Sequence, residues 1–246
     1  MEEIAIDVGN SYTKVSDKTD SFSSISNNEL ETFFHHADIF DTWKGKKVFI
    51  ASVVPSLTPF FKERIKPITN ELPYIIGLKD FNCLNIEVET AATIGVDRLI
   101  NAVAVTKNYK KDALIIDVGT ATTIDVVTAD GTFKGGLIFP GFETFRSSLF
   151  ANTEQLSFVK EKLELEKSLP EQYIGKNSYD AIKSGVYGGY CAMIKGLTEK
   201  VKGEIDNSVT VIATGGGVKH IDISSLVDIV DLSLSIKGIR ALAQSL

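Results

Sequence analysis

Two short segments of the sequence combine one carboxylate with glycine and small polar residues, a composition suited to binding phosphate. The first reads Asp7-Val-Gly-Asn-Ser11, with Lys14 shortly after it, and the second reads Asp117-Val-Gly-Thr-Ala-Thr-Thr123. Glycine exposes backbone N–H groups that a phosphate can approach closely. Because a carboxylate repels phosphate, Asp7 needs a cation or a water between the two, and Mg²⁺ commonly bridges carboxylates to phosphates. The alternative for the first segment, taken alone, is an ordinary hairpin turn, in which Asn and Gly are common.

A third polar segment, Gly95-Val-Asp-Arg98, stands at the start of a helical pattern. The pattern is an apolar face formed by residues three or four positions apart, namely Val96, Leu99, Ile100, Val103 and Ala104. The helix dipole favours Asp97 in a first turn but not Arg98, so an anionic ligand there is one reason for the arginine. Asp97 is able to accept a proton from an alcohol, and Arg98 to hold a carboxylate in a bidentate fork. A surface Asp–Arg pair is the alternative.

A glycine-rich loop completes the set of candidate nucleotide-binding segments. Thr214-Gly-Gly-Gly217 follows an apolar strand, so its bare backbone either lies against an adenosine or forms a plain flexible loop. No Gly-x-x-x-x-Gly-Lys-[Ser/Thr] sequence occurs, and no Gly-x-Gly-x-x-Gly follows a strand. Phosphate binding is therefore predicted for the two Asp-x-Gly turns.

The elements that carry these segments repeat along the chain. Residues 4–13 recur as residues 114–123, with Ile, Asp, Val, Gly and Thr at matching places, and residues 49–52 recur as residues 211–214. Two repeated segments in the same order predict a duplicated fold with halves at 1–109 and 110–246. Chance similarity between apolar strands that end in Asp-x-Gly is the alternative. Strand patterns alternate with helix patterns, which predicts an α/β protein with mixed sheets flanked by helices.

Local patterns predict the individual elements. Strands are expected at residues 4–7, 12–16, 48–52, 113–117, 124–127, 132–138 and 209–213. Helices are expected at residues 28–36, 57–65 and 178–202, with Pro67 as the stop of the second. The pair Asp130-Gly131 predicts a hairpin turn.

The composition limits the class of protein. A chain of 246 residues, 43% hydrophobic and 24% charged, is long enough for one large or two modest α/β domains. Its net charge of −6 argues against a broad nucleic-acid surface, which needs a basic face. No run of about 18 apolar residues predicts a membrane span, and the first residues lack a signal-peptide pattern. Cys83 and Cys191 predict neither a disulfide framework nor a metal-ligand pair, so we expect a cytoplasmic protein.

Six segments together resemble the type III pantothenate kinases over nearly the whole chain. In order they are Asp7-Val-Gly-Asn-Ser11, Gly95-Val-Asp-Arg98, Asp117-Val-Gly-Thr-Ala-Thr-Thr123, Gly135-Gly-Leu-Ile-Phe-Pro-Gly141, Gly175-Lys-Asn-Ser178 and Thr214-Gly-Gly-Gly217. The Asp-x-Gly turns alone mark only the wider superfamily of actin, sugar kinases and Hsp70-like ATPases. The second and fourth segments make the resemblance specific.

The resemblance implies a fold and an activity. The fold would be a pair of ribonuclease H-like (actin-like) domains with the nucleotide site in the cleft between them. The activity would be transfer of phosphate from ATP to pantothenate, the first step of coenzyme A synthesis, with Mg²⁺ and a monovalent cation, K⁺ or NH₄⁺. The family also implies a homodimer with substrate sites near the subunit interface.

The resemblance implies roles for individual residues as well. Asp97 would be the general base towards the primary hydroxyl of the substrate, and Asp117 would bind the monovalent cation. The substrate-binding residues would be Gly95, Val96, Arg98, Ser178 and the residue at position 88. The ATP-binding residues would be Asp7, Val8, Gly9, Asn10, Ser11, Tyr12, Thr13, Lys14 and Thr120.

Two departures from the family pattern bear on the substrate. Family members often carry Tyr-x-Asn-Pro before the Gly-x-Asp-Arg segment, whereas this chain has Val88-Glu-Thr-Ala91. Ser178 replaces the usual threonine and keeps its hydroxyl. The missing tyrosine keeps open a kinase for another small acid or a sugar alcohol. A non-catalytic actin-like module, either a filament former or a regulator, is the third hypothesis.

Overall fold

The computed structural model describes residues 3–18, 21–36, 38–151, 153, 156, 159, 163, 170–205 and 208–246. The chain forms two compact units. The first comprises Met1–Lys111, Val127–Gly135 and Ser233–Leu246, and the second comprises Asp112–Val126 and Gly136–Leu232. The predicted division of roles between residues 1–109 and 110–246 stays a prediction.

Eleven strands occur in the described part of the chain: β1 (Ile4–Val8), β2 (Tyr12–Ser16), β3 (Ser23–Ser26), β4 (Val48–Ser52), β5 (Tyr74–Ile75), β6 (Asn85–Ile86), β7 (Ala113–Val118), β8 (Ala121–Val127), β9 (Thr132–Pro140), β10 (Thr210–Thr214) and β11 (Ile229–Val230). The α-helices there are α1 (Leu30–His36), α2 (Thr58–Thr69), α3 (Val96–Ala104), α4 (Phe142–Ala151), α5 (Ser178–Lys183), α6 (Gly189–Glu204) and α7 (Leu234–Ala243). All seven predicted strands and the predicted helices are confirmed in kind, with ends that differ by a few residues.

The two sheets share one strand order. The first runs β3-β2-β1-β4-β5, and the second runs β9-β8-β7-β10-β11, with β6 added beside β9. In the first sheet β1 is antiparallel to β2 and parallel to β4. In the second sheet β7 is parallel to β10, and the two-residue connection from β7 to β8 permits only antiparallel pairing. The repeated order confirms the predicted duplication and the mixed α/β class.

Apolar side chains surround the central strand of each sheet. In β1 and in β7 every residue is buried except the aspartate near the carboxyl end, Asp7 and Asp117 respectively, which are partly exposed. The core beside β1 includes Trp43, Phe61 and Ile65, each fully buried. Because both strands are covered on two faces, their sequences are nearly continuous apolar runs, and only the penultimate residue, the aspartate, is polar.

The predicted stop at Pro67 is wrong. Helix α2 continues through Pro67 to Thr69, and Asn70 ends it in the left-handed conformation, with φ 65° and its N–H donating to Lys66 O. Proline removes one hydrogen bond to the preceding turn, but the helix needs to continue for only two more residues. The buried Thr69 hydroxyl donates to Ile65 O, so a side chain adds a bond in that last turn.

The long helix predicted at residues 178–202 is present with an irregularity. Helices α5 and α6 are joined by a π-helical turn at Ser184–Gly188. No helix in the described residues has the length and apolar character that a membrane span requires.

Candidate active site

The first Asp-x-Gly turn connects β1 to β2 in the first unit. Gly9 N–H donates to Tyr12 O at 3.0 Å, which closes the turn, and its tip residues Asn10 and Ser11 are exposed. The antiparallel register places Asp7 opposite Lys14. The turn is therefore a tight backbone loop with a carboxylate and an ammonium at its base.

Lys14 holds its charge close to this turn. Its Nζ lies 3.9 Å from Asp7 Oδ2, donates to Ser235 Oγ at 3.2 Å, and lies 5.3 Å from the centre of the Phe22 ring. Both charged side chains are mostly buried, at 18% and 13% exposed. Since bulk water screens such a pair only weakly, an anion at the turn would interact strongly with the lysine.

The segment Gly95–Arg98 lies at the same edge of the first sheet. Val53 N–H, just beyond β4, donates to Val8 O at 3.1 Å. An added Cβ at Gly95 would stand 3.8 Å from Val53 Cγ1, so the start of α3 lies beside the end of β1. Val53 therefore lies next to both the start of α3 and the end of β1, after which the first turn begins.

The Asp97 carboxylate folds back over the start of α3. Its Oδ1 accepts a hydrogen bond from Arg98 N–H at 2.9 Å, and any side chain at Gly95 would clash with that oxygen. Glycine at position 95 therefore leaves the room that the carboxylate occupies. The Arg98 guanidinium lies 5.6 Å from the centre of the Phe133 ring, a cation–π contact that orients it.

Val88 lines the same part of the first unit. An added Cβ at Gly135 would stand 3.4 Å from Val88 Cγ1, which is ordinary van der Waals contact. Phe133, which contacts Arg98, lies two residues before Gly135 on β9. The residue that replaces the usual tyrosine therefore packs on the strand that holds the arginine.

The second Asp-x-Gly turn connects β7 to β8 in the second unit. Gly119 N–H donates to Ala121 O at 3.0 Å. Thr120 O accepts two hydrogen bonds, from Gly141 N–H at 3.0 Å and from the Thr144 hydroxyl at 2.8 Å. The backbone of this turn is thereby fixed from the start of α4, while the Thr120 side chain remains exposed.

A pair of buried hydroxyl groups supports the second turn. The Thr122 hydroxyl and the Tyr190 hydroxyl are 2.6 Å apart, and the tyrosine donates to Pro140 O at 3.3 Å. Both side chains have no exposed surface. Burial raises the pKa of Tyr190 to about 12, against a smaller lowering by the Thr122 bond. No local sequence pattern marks Tyr190, because its partner Thr122 lies 68 positions away.

Asp117 faces the glycine-rich loop of the second unit. Parallel pairing of β7 with β10 sets Asp117 beside Thr214. Gly215 has φ +90°, and a side chain there would clash with Asp117 Oδ1 and Val118 O. The predicted Gly-Gly-Gly loop is thus packed against the second turn, which explains why glycine is required at its first position.

Ser178 is the exposed first residue of α5 in the second unit. Asn177 caps this helix by accepting a hydrogen bond from Asp180 N–H at 2.9 Å. The serine hydroxyl is therefore displayed at a capped helix start. The roles predicted for Ser178 and for the other site residues stay predictions.

A known family matches most of the chain. A model described as type III pantothenate kinase matches residues 3–200. The chain belongs to the type III pantothenate kinase family. This confirms the resemblance drawn from the six segments, and it makes the protein a kinase that acts on an alcohol group.

Curated relatives agree with the family. A type III pantothenate kinase from Sulfurihydrogenibium sp. (strain YO3AOP1) is 33% identical over 96% of this chain and 97% of its own length. One from Desulforapulum autotrophicum is 36% identical over 80% of this chain and 74% of its own length. One from Halalkalibacterium halodurans is 32% identical over 86% of this chain and 81% of its own length.

Solved structures support the fold. A Campylobacter jejuni protein described as a Baf family transcriptional activator superposes with a TM-score of 0.65 at 18% identity, over 98% of both chains. The activator of 2-hydroxyisocaproyl-CoA dehydratase from Clostridium difficile, solved with ADPNP, superposes with a TM-score of 0.50 at 12% identity, over 100% of this chain and 94% of that one. At these identities the likeness concerns the fold alone, which is the actin-like ATPase fold predicted from the sequence.

Oxygen donors suited to hard cations lie near both Asp-x-Gly turns. Among the described residues, no three His, Cys, Asp or Glu side chains cluster as a metal cage. Mg²⁺ is usually held by one or two carboxylates together with substrate phosphates, which suits Asp7 beside the first turn. The backbone cradle at Gly215, which a side chain would fill, offers Asp117 Oδ1 and Val118 O as oxygen donors for a hard monovalent cation.

Proposed function

We propose that this protein transfers the terminal phosphoryl group of ATP to the primary hydroxyl of pantothenate, giving 4′-phosphopantothenate at the start of coenzyme A synthesis. One observation carries the proposal. In the first unit Val53 lies next to the start of α3, which carries Asp97, and next to the end of β1, where a tight glycine turn with a lysine at its base begins. A base next to a phosphate-binding turn is the arrangement that phosphoryl transfer to an alcohol needs.

Asp97 is the general base. Its carboxylate is partly exposed, and Arg98 N–H donates to one of its oxygens. This bond fixes the orientation of the carboxylate. The other carboxylate oxygen accepts the proton of the substrate hydroxyl while the hydroxyl oxygen attacks phosphorus. Positioning contributes much of the rate in such transfers, because the nucleophile must lie in line with the leaving oxygen.

The two Asp-x-Gly turns bind the phosphates of ATP. In the first, the residues are Asp7, Val8, Gly9, Asn10, Ser11, Tyr12, Thr13 and Lys14, with backbone N–H groups and the lysine as donors. In the second, Thr120 supplies a hydroxyl. Asp7 would hold Mg²⁺ and Asp117 would hold K⁺ or NH₄⁺, and these cations would supply positive charge that offsets the charge of the phosphates.

The pantothenate carboxylate pairs with Arg98. Its guanidinium is planar and already oriented on the Phe133 ring, so it loses little freedom when it forms a bidentate pair. Gly95, Val96, Val88 and Ser178 complete the substrate contacts. The active form is a cytoplasmic homodimer.

The direct test is turnover of pantothenate by purified protein with ATP, Mg²⁺ and K⁺, measured by mass spectrometry of 4′-phosphopantothenate. Asp97→Asn keeps the size of the side chain and removes the base, so kcat should fall about 10²- to 10⁴-fold. Glu63→Gln, which removes one charge from an exposed position on α2, should leave kcat unchanged. Folded wild-type protein without turnover would refute the proposal, and full activity of Asp97→Asn would refute the base.

A second candidate keeps the chemistry and changes the acceptor. Val88 stands where family members often have a tyrosine, and it packs beside Gly135. A valine removes a polar group from the acceptor pocket, which favours another small acid or a sugar alcohol. A panel of acceptors at equal concentration decides, since a kcat/KM higher than that for pantothenate would support this candidate.

A further inference from the structure

Asn27, a residue outside the six family segments, makes four hydrogen bonds to the first turn. Its Nδ2 donates to Gly9 O at 2.8 Å and to Asn10 O at 3.1 Å. Its Oδ1 accepts from the Thr13 hydroxyl at 2.8 Å, and its backbone N–H donates to Ser11 O at 3.0 Å. One residue at the end of β3 therefore contacts every carbonyl at the tip of the turn.

The Thr13 hydroxyl fixes which way the Asn27 amide faces. Thr13 has no exposed surface, so its hydroxyl has no bulk water to bond. Because the threonine donates to Oδ1, both hydrogens of the Asn27 amide nitrogen are left for the turn. The donors are thereby aimed at Gly9 O and Asn10 O.

The hydrogen bonds from Asn27 determine which backbone groups the turn presents on the side away from Asn27. In a trans peptide the C=O and N–H point in opposite directions. With the Gly9 and Asn10 carbonyls turned to Asn27, the N–H groups of Asn10 and Ser11 point away from it. A phosphate is attracted by N–H groups and repelled by carbonyl oxygens, so a flipped peptide would weaken its binding.

We propose that Asn27 is a positioning residue for ATP, which holds the first turn in the one backbone orientation that presents N–H groups to phosphate. The proposal rests on the proposed function, because it takes the first turn as the phosphate-binding one. The Asn27 amide is bonded to the turn, so its effect on phosphate affinity passes through Gly9 and Asn10.

The test compares nucleotide affinities of wild-type protein and of Asn27→Asp by calorimetry. Aspartate keeps the shape and the acceptor for Thr13, but sets a carboxylate oxygen against the Gly9 and Asn10 carbonyls. The dissociation constant for MgATP should rise about tenfold or more, since two hydrogen bonds are lost. That for adenosine, which carries no phosphate, should change less than about twofold. Asn28→Asp, which adds the same charge at the next, exposed position, should bind MgATP like the wild type.

A second pair of variants serves if Asn27→Asp does not fold. Thr13→Val removes the hydroxyl that orients the Asn27 amide, and Thr13→Ser keeps it. MgATP should bind more weakly to Thr13→Val than to Thr13→Ser, which keeps the donor to Asn27 Oδ1. Thermal unfolding of each variant reports whether the comparison concerns folded protein.

The possible results separate this proposal from the proposed function. Wild-type affinity for MgATP in folded Asn27→Asp or Thr13→Val would overturn the positioning role, as would an equal loss of adenosine and MgATP binding. Absence of pantothenate turnover by wild-type protein that binds MgATP would refute the proposed function alone, because the affinity comparison needs no acceptor.

Discussion

Tyr190→Phe removes a single buried hydroxyl that supports the second turn. The hydroxyl lies 2.6 Å from Thr122 Oγ1 and donates to Pro140 O at 3.3 Å. Phenylalanine fills nearly the same volume, so the packing of the ring against Phe142 and Phe145 is kept. The variant therefore reports on hydrogen bonding with little change in packing.

The magnitude follows from burial. Thr122 has no exposed surface, so the hydroxyl left behind by Tyr190→Phe has no water to replace its partner. An unsatisfied buried hydroxyl costs about 1–3 kcal/mol, and we expect about 2 kcal/mol for Tyr190→Phe. Thr122→Val should cost less, about 1 kcal/mol, because the Tyr190 hydroxyl still donates to Pro140 O. The double variant replaces both partners by apolar groups, and we expect it to lose about 1–2 kcal/mol less than the two single losses combined.

The assay is urea unfolding of the four proteins, followed by fluorescence of Trp43 and by circular dichroism. Tyr173→Phe is the matched control, because the Tyr173 side chain is 67% exposed and its hydroxyl can bond to water. Losses that simply add in the double variant would show that the two hydroxyls do not interact, and the reasoning about the second turn would be wrong.

Two further predictions concern the same unit. Gly215→Ala should raise the KM for K⁺ at least about tenfold, because a side chain at φ +90° displaces Asp117 Oδ1. Gly216→Ala, with open space around it, should behave as wild type. Equal effects of the two substitutions would count against a cation site at the Gly215 cradle. Since burial raises the pKa of Tyr190 to about 12, the folded protein keeps a proton that the unfolded chain loses near pH 10, so stability should fall as pH rises from about 10 towards 12. Urea unfolding over that range checks this, and Tyr190→Phe should lose less stability than the wild type as pH rises.

The sequence predicted the position of the two aspartates well because their signals are local. An apolar run that ends in Asp-x-Gly predicts a buried strand followed by a turn, and β1 and β7 are such strands. The recurrence of residues 4–13 at 114–123 predicted the common strand order of the two sheets. The helix end predicted at Pro67 was wrong because a proline two residues before the end of a helix destabilises it little. The true end depends on Asn70 and on the buried Thr69.

The family, the duplicated α/β fold and the candidate segments for phosphate and acceptor binding could all be predicted from the amino-acid sequence. Each of these depends on residues that are neighbours in the chain. Three features could be seen only in the folded chain: Asn27 bonds to the first turn, Tyr190 supports the second, and the start of α3 lies beside Val53 and the end of β1. Their partners are distant in sequence, and the pairing of strands and packing of helices bring them together, which local apolar patterns and turn signals do not encode.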